Sequence, residues 1–389
     1  MSTLAEVLAP DERASLSVVQ RTATSPWTED DREYGVDGDV RIPARWGAPS
    51  RQETLNEVRT LQQRARTERG VYGNFGVQSM VAYLGARDAV EGSIATEQPL
   101  RENLSYAEGG NVLRGANAAG DPYAIVGQDT VELTRAVLAR DLGRPVSATE
   151  AEEAIAHDLG VAPTLLYPVE QPGDFHLDMA MLPLGGGQIV VNDAREAAAL
   201  QAHWLREDAG MLHGGYATGL EARIARLKRT ANERAIYEDQ VADALRAQGF
   251  EVHRMAGVFP STAPGRSLPM NFFNTEAGVG ADDQSFLVMM GGDARAQAYV
   301  QGRLKEIPSS GIDRVYFLPA DVNANLLNEG GLNCRVKAIG EPLSAAEVRA
   351  RRSRRGRPAV SNLNCPSCFA PLIAAPFCRI AAGSRAGAA

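Results

Sequence analysis

From about residue 40 onward the chain alternates two hydrophobic rhythms. Helical spacing of apolar positions runs through SRQETLNEVRTLQQRARTERG from Ser50, TVELTRAVLARDLG (130–143) and SATEAEEAIAHDLG (147–160), each closing on a glycine that suits the left-handed turn after a helix. Ser147 and Glu150 have the spacing of a capping box at the start of the third. Interleaved with these are short β-rich runs: YAIVG, TLLYPV, QIVVND, SFLVMMGG and RVYFLPA. Strands alternating with helices predict an α/β fold. One stretch breaks the rhythm. Residues 194–249 are rich in Ala, Leu, Arg and Glu and predict a helical insertion of two or three helices, in which His203 and His213 read as surface or packing histidines.

After Gly340 the character changes. A short capped helix, EPLSAAEVRA, runs into six Arg within residues 349–357, and the remainder is small and apolar with three Cys. The division expected is a main domain over 1–340 and an Arg-rich, Cys-containing tail over 341–389. A basic run of this kind reads as a solvated tail. CPSC, with Cys378 beyond it, resembles part of a zinc site without a nearby fourth ligand.

Composition narrows the partners. With 44% hydrophobic and 23% charged residues among 389, the chain has ample material for a core, and a net charge of -8 argues against general nucleic-acid affinity while suiting a cationic ligand. No apolar run approaches the roughly 18–20 residues a membrane helix needs. The N-terminus lacks a basic start followed by an apolar stretch, and all four Cys lie between 334 and 378, so a reducing, cytoplasmic setting is expected.

Four separated stretches carry the chemistry: PWTEDDREYG (26–35), AEGGNVLRG (107–115), DFHLDMAML (174–182) and NEGGLNCRVKAI (328–339). Each sets a titratable or nucleophilic side chain beside a strand end or a glycine pair, where backbone can turn closely around a ligand. Together they supply one Cys, one His, one Glu and two Asp, a set suited to attack on a guanidinium group. That group carries a charge that persists above about pH 12 and needs carboxylates to hold its N–H groups. Asp30 and Asp178 would serve as those acceptors. Cys334 would attack as a thiolate, His176 would protonate the departing ammonia and then activate water, and Glu108 would orient the imidazole. If HLD lies in a strand, His176 and Asp178 share one face of it.

These stretches resemble the motifs of guanidine-modifying enzymes. PWTEDDREYG is similar to the W-x-Q-D-E-x-E-x-G segment of protein-arginine deiminases through Trp27, Asp30, Glu33 and Gly35, and YGNFGV (72–77) resembles their F-G-N-L-E-V. FHLDMAM resembles their G-H-V-D and the H-L-D-T of free-arginine deiminases; EGGN and GGLNC are similar to the E-G-G-D and G-G-x-x-C of the wider pentein superfamily. The likeness covers roughly residues 20–340.

The resemblance implies five ββαβ-type units around a pseudo-fivefold axis, a five-bladed α/β propeller with its site in the central channel. It implies Cys334 as nucleophile, His176 as acid/base, Asp30 and Asp178 as guanidinium clamps, and Glu108 as the carboxylate behind His176. Trp27 and Arg51, the latter in GAPSR where the family has Asp-Ser-Pro-Arg, would line the substrate. The chemistry needs no cofactor. Animal members need calcium, but Gly76 stands where they have an acidic ligand; Glu29, Asp31 and Glu33 are the remaining acidic oxygens in the first motif. The activity expected is deimination of peptidyl or protein arginine. The alternatives are a deiminase of free arginine or agmatine, an amidinotransferase on the same Cys-His-Asp set, and a catalytically silent binding protein; oligomeric state stays open.

Overall fold

The structure, a computed structural model, describes residues 100–318 apart from 173–175, 209–218, 258–271, 280–283, 292 and 308–311, together with 33–34, 40–42, 44 and helical positions between 52 and 67. Trp27, Glu29, Asp30, Asp31, Arg51, Gly76, Cys334 and the 341–389 tail lie outside the described residues, and Glu33 is placed by its backbone alone.

Four three-stranded sheets repeat one design. In the first, β1 (Glu33–Tyr34) and β2 (Val40–Ile42) are antiparallel and β3 (Leu100–Glu102) lies parallel to β2, with the helical positions between 52 and 67 inside the crossover. The second is β4 (Val112–Ala116), β5 (Pro122–Gly127) and β6 (Leu166–Val169), with α1 (Gln128–Leu142) and α2 (Ala148–Leu159) between β5 and its parallel neighbour β6. The third is β7 (Met181–Gly185), β8 (Gln188–Asn192) and β9 (Glu251–Met255), with α3 (Ala194–Glu207) and α4 (Leu220–Ala247) between β8 and β9. The fourth is β10 (Glu276–Val279), β11 (Ser285–Met289) and β12 (Arg314–Phe317), with α5 (Ala294–Glu306) between β11 and β12. A tight turn joins antiparallel strands, whereas a parallel neighbour is reached only through a long crossover, so ββαβ follows from the order of short and long connections.

The described part of the stretch 194–249, expected as an insertion, contributes α3 and α4 in the place that α1 and α2 occupy in the preceding unit. It forms the crossover of its own sheet. The expectation of five units closed around an axis goes beyond these four small sheets. The fold shown is mixed α/β, and among the described residues no helix is long and apolar enough to cross a membrane.

Local signals set the helix ends. Ser147 and Glu150 form the expected capping box, with the serine Oγ accepting from the Glu150 N–H. Gly143 and Gly160 close α1 and α2 at φ 63° and 69°, the left-handed region where a side chain is strained. Asp193 and Asp293 cap α3 and α5 through their carboxylates.

The central strands β5, β8 and β11 are buried on both faces, and alternate residues of β5 and β8 enter different cores. Ala124 and Val126 of β5 pack with Val131, Ile155 and Leu159 of its own helices. Tyr123 and Ile125 point the other way and join Ile189 and Val191 of β8 with Val241 and Leu245 of α4. Val190 faces a third cluster containing Trp204, Met255, Phe272, Phe273, Leu287 and Met289, which joins the third unit to the fourth. The second, third and fourth units therefore share cores and fix one another's orientation.

A buried polar knot reinforces the third unit. Glu238 of α4 accepts from the Ala194 N–H at 2.8 Å, from Asn192 Nδ2 and from Arg234 Nε at 2.9 Å. Burial pushes its carboxyl above the ordinary range, against the opposing pull of Arg234.

Ile189 is fully buried in the shared second core. Ile189→Ala is expected to lower unfolding free energy by roughly 2–5 kcal/mol in a denaturant titration. Leu142→Ala, at a position 55% exposed, should stay within about 0.5 kcal/mol of the parent. Equal effects at the two sites would contradict the shared-core layering.

Candidate active site

The polar residues of the site stand in the short turns that lead into the first strand of successive units. Glu108 is extended (φ -100°, ψ 135°) and precedes the 3-10 turn Gly109–Asn111, which feeds β4; its carbonyl accepts from the Asn111 N–H at 2.9 Å. His176 is likewise extended (φ -121°, ψ 144°) and precedes the 3-10 turn Leu177–Met179, which feeds β7. The two turns lie against each other.

That packing sets His176 Nε2 3.0 Å from Glu108 Oε1, with the histidine 1% and the glutamate 5% exposed. An ionised carboxylate can only accept, so beside Glu108 Oε1 the His176 Nε2 carries the proton and the tautomer is fixed. Screening by water is small at this burial, so the contact fixes the ring strongly.

Gly110 is the third part of the arrangement. A Cβ there would lie 2.3 Å from Nδ1 and 2.6 Å from Cγ of His176, inside van der Waals contact. The EGG stretch thus supplies the carboxylate at Glu108 and, at Gly110, the bare backbone over which the imidazole lies.

Asp178 is 1% exposed, and its Oδ2 accepts from the Nδ2 amide of Asn274. The expectation that HLD is a strand presenting His176 and Asp178 on one face is corrected here. Only His176 is extended, and residues 177–179 form a turn closed by Ala180 N–H to Leu177 O at 3.0 Å. Three residues complete a 3-10 turn, so the pleat rule does not apply across it. The reason lies in packing: Leu177 and Met179 are both buried, which the two-residue alternation of a one-sided strand would not allow beside a buried Asp178.

Of the expected site residues, Glu108, His176 and Asp178 fall within the described part, and Glu108 and His176 are joined directly. Cys334, Asp30, Trp27 and Arg51 lie outside it. Among the described residues no group of three or more His, Cys, Asp or Glu is placed to hold a metal ion. Sequence reading passed over Asn274, whose FFNTE context carries no motif. The usable signal is positional: Glu108 leads into β4 at Val112, Asp178 into β7 at Met181 and Asn274 into β10 at Glu276.

No protein-family profile and no curated protein sequence matches the chain. Solved structures do. A C. jejuni agmatine deiminase with substrate bound aligns at TM-score 0.39 and 13% identity, over 66% of this chain and 61% of that one. A DDAH from Pseudomonas aeruginosa complexed with citrulline aligns at 0.33 and 11%, over 84% and 77%. An agmatine deiminase of Enterococcus faecalis aligns at 0.31 and 13%, over 82% and 100%. The chain spans about three fifths of the first of these, 61%. At these scores the likeness is one of outline. None of the three is a protein-arginine deiminase, the family whose motifs the sequence resembles.

Gly110→Ala is expected to displace the His176 ring from this backbone, moving the His176 imidazole signals in NMR away from their parental positions. Far-UV circular dichroism should remain parental. Parental His176 signals in this variant would show that the ring does not lie against the Gly110 backbone.

Proposed function

We propose that this protein is a cysteine-dependent hydrolase that converts a guanidinium group to a ureido group and ammonia. The observation that carries the reading is the buried Glu108–His176 contact, with Asp178 close by in sequence and equally buried. A carboxylate-oriented imidazole moves protons, and a second buried carboxylate suits a cationic ligand that replaces its lost hydration.

In the proposed reaction Asp178 and Asp30 accept from the substrate N–H groups. The Cys334 thiolate forms a C–S bond to the guanidinium carbon, giving a tetrahedral adduct. His176, holding the proton taken from the Cys334 thiol, delivers it to one amino group, the C–N bond breaks and ammonia leaves. The remaining S-alkylthiouronium is attacked by water, whose proton passes to His176. The C–S bond then breaks and the adduct's hydroxyl proton passes to solvent, where it converts the released ammonia to ammonium, returning the thiolate and releasing the ureido product. Glu108 holds the imidazole in one orientation through both halves.

Agmatine and free arginine suit this centre at least as well as peptidyl arginine, because its described residues address the guanidinium alone. The test is an assay for ureido product and ammonia with purified full chain against agmatine, free arginine, a blocked arginine ester and an arginine peptide, with and without calcium. At least one substrate is expected to turn over, with Cys334→Ala at background and Glu108→Gln reduced by about 100-fold or more. Absence of both products from all four would overturn the hydrolase reading.

A further inference from the structure

A carboxylate that holds a guanidinium must keep both its direction and its charge. Asp178 is 1% exposed and its Oδ2 receives the Nδ2–H of Asn274, a residue 0% exposed on the unit that follows. The partner is an amide. A Lys or Arg in that place would fix the carboxylate equally well but would cancel the charge a cationic substrate needs. An amide donor fixes the rotamer and adds no charge of its own.

Asn274 is itself held firmly. Phe272 and Phe273 before it are buried in the core shared by the third and fourth units, and the Thr275 hydroxyl after it donates to the Phe272 carbonyl at 2.5 Å. Its place also follows the repeat: Asn274 enters β10 as Asp178 enters β7 and Glu108 enters β4. The side chains ahead of these three strands meet in sequence order, Glu108 with His176 and Asp178 with Asn274.

We infer that Asn274 is a positioning residue for guanidinium recognition, aligning the Asp178 carboxylate from the neighbouring unit; the inference rests on the proposed function above. Loss of one hydrogen bond to a charged group costs about 10- to 100-fold in an equilibrium, and here that loss should fall on substrate affinity. Asn274→Ala should raise KM for a guanidino substrate about 10- to 100-fold and change kcat by less than about 10-fold.

The deciding experiment is a double-mutant cycle in the full-length chain, using agmatine and free arginine as probes. It compares parent, Asn274→Ala, Asp178→Ala and the double variant by KM and kcat. Calorimetric binding is measured in parallel on the same set in a Cys334→Ala background, and each variant is checked by circular dichroism. The inference expects Asn274→Ala to weaken binding alone but to have no further effect once Asp178 is Ala. A purely structural Asn274 would weaken both backgrounds alike, and that result overturns the inference. So does an unchanged KM and affinity in Asn274→Ala, with the hydrolase reading left standing. Binding that depends on the pair without turnover in the parent overturns the hydrolase and keeps the positioning role. Neither binding nor turnover overturns both.

Discussion

The contact between Glu108 and His176 is the constraint on which the rest of the site depends. It joins two units, it is buried at both ends, and its 3.0 Å separation leaves no room for water between the groups. A buried polar pair of this kind is favourable only while both partners stay in register, since either one left alone would bear the full cost of lost hydration. Gly110 makes that register possible by admitting the ring against bare backbone. The carboxylate, the glycine and the imidazole form one device.

Packing around the device explains why it holds. β5 sends alternate side chains into its own helices and into the core it shares with β8 and α4, and β8 does the same toward the third and fourth units. The second turn cannot shift without opening a shared core, because its Leu177 lies in one of those cores. The Asp178–Asn274 bond extends the pattern by one unit. Polar side chains ahead of first strands converge while the sheets behind them pack.

Much of this was legible in the sequence. YAIVG, QIVVND and SFLVMMGG read as strands because continuous apolar runs suit strands buried on both faces, and the Ser147 capping box could be seen from spacing alone. EGGN and FHLD stood out through their residue types, and the structure brings their Glu108 and His176 into contact. The turn at 177–179 was not, since HLDMAML alternates well enough to pass for a strand and only tertiary burial of Leu177 and Met179 decides against it. The role of residues 194–249 was hidden for a related reason. A helical pattern shows that helices form, whereas their place as a crossover depends on β9 pairing in parallel with β8 across a long separation. Asn274 was invisible because its meaning comes from its position in a repeat, and the repeat is defined by strand pairing.

The central claim is covalent chemistry at Cys334 served by the Glu108–His176 pair. Its most direct test is mass spectrometry of protein quenched in acid during turnover of agmatine or arginine, followed by peptide mapping. The account predicts an S-alkylthiouronium adduct on Cys334 during turnover of the parent that is absent in Cys334→Ala. Turnover with no adduct on Cys334, or with the adduct on Cys365, Cys368 or Cys378 instead, would contradict it.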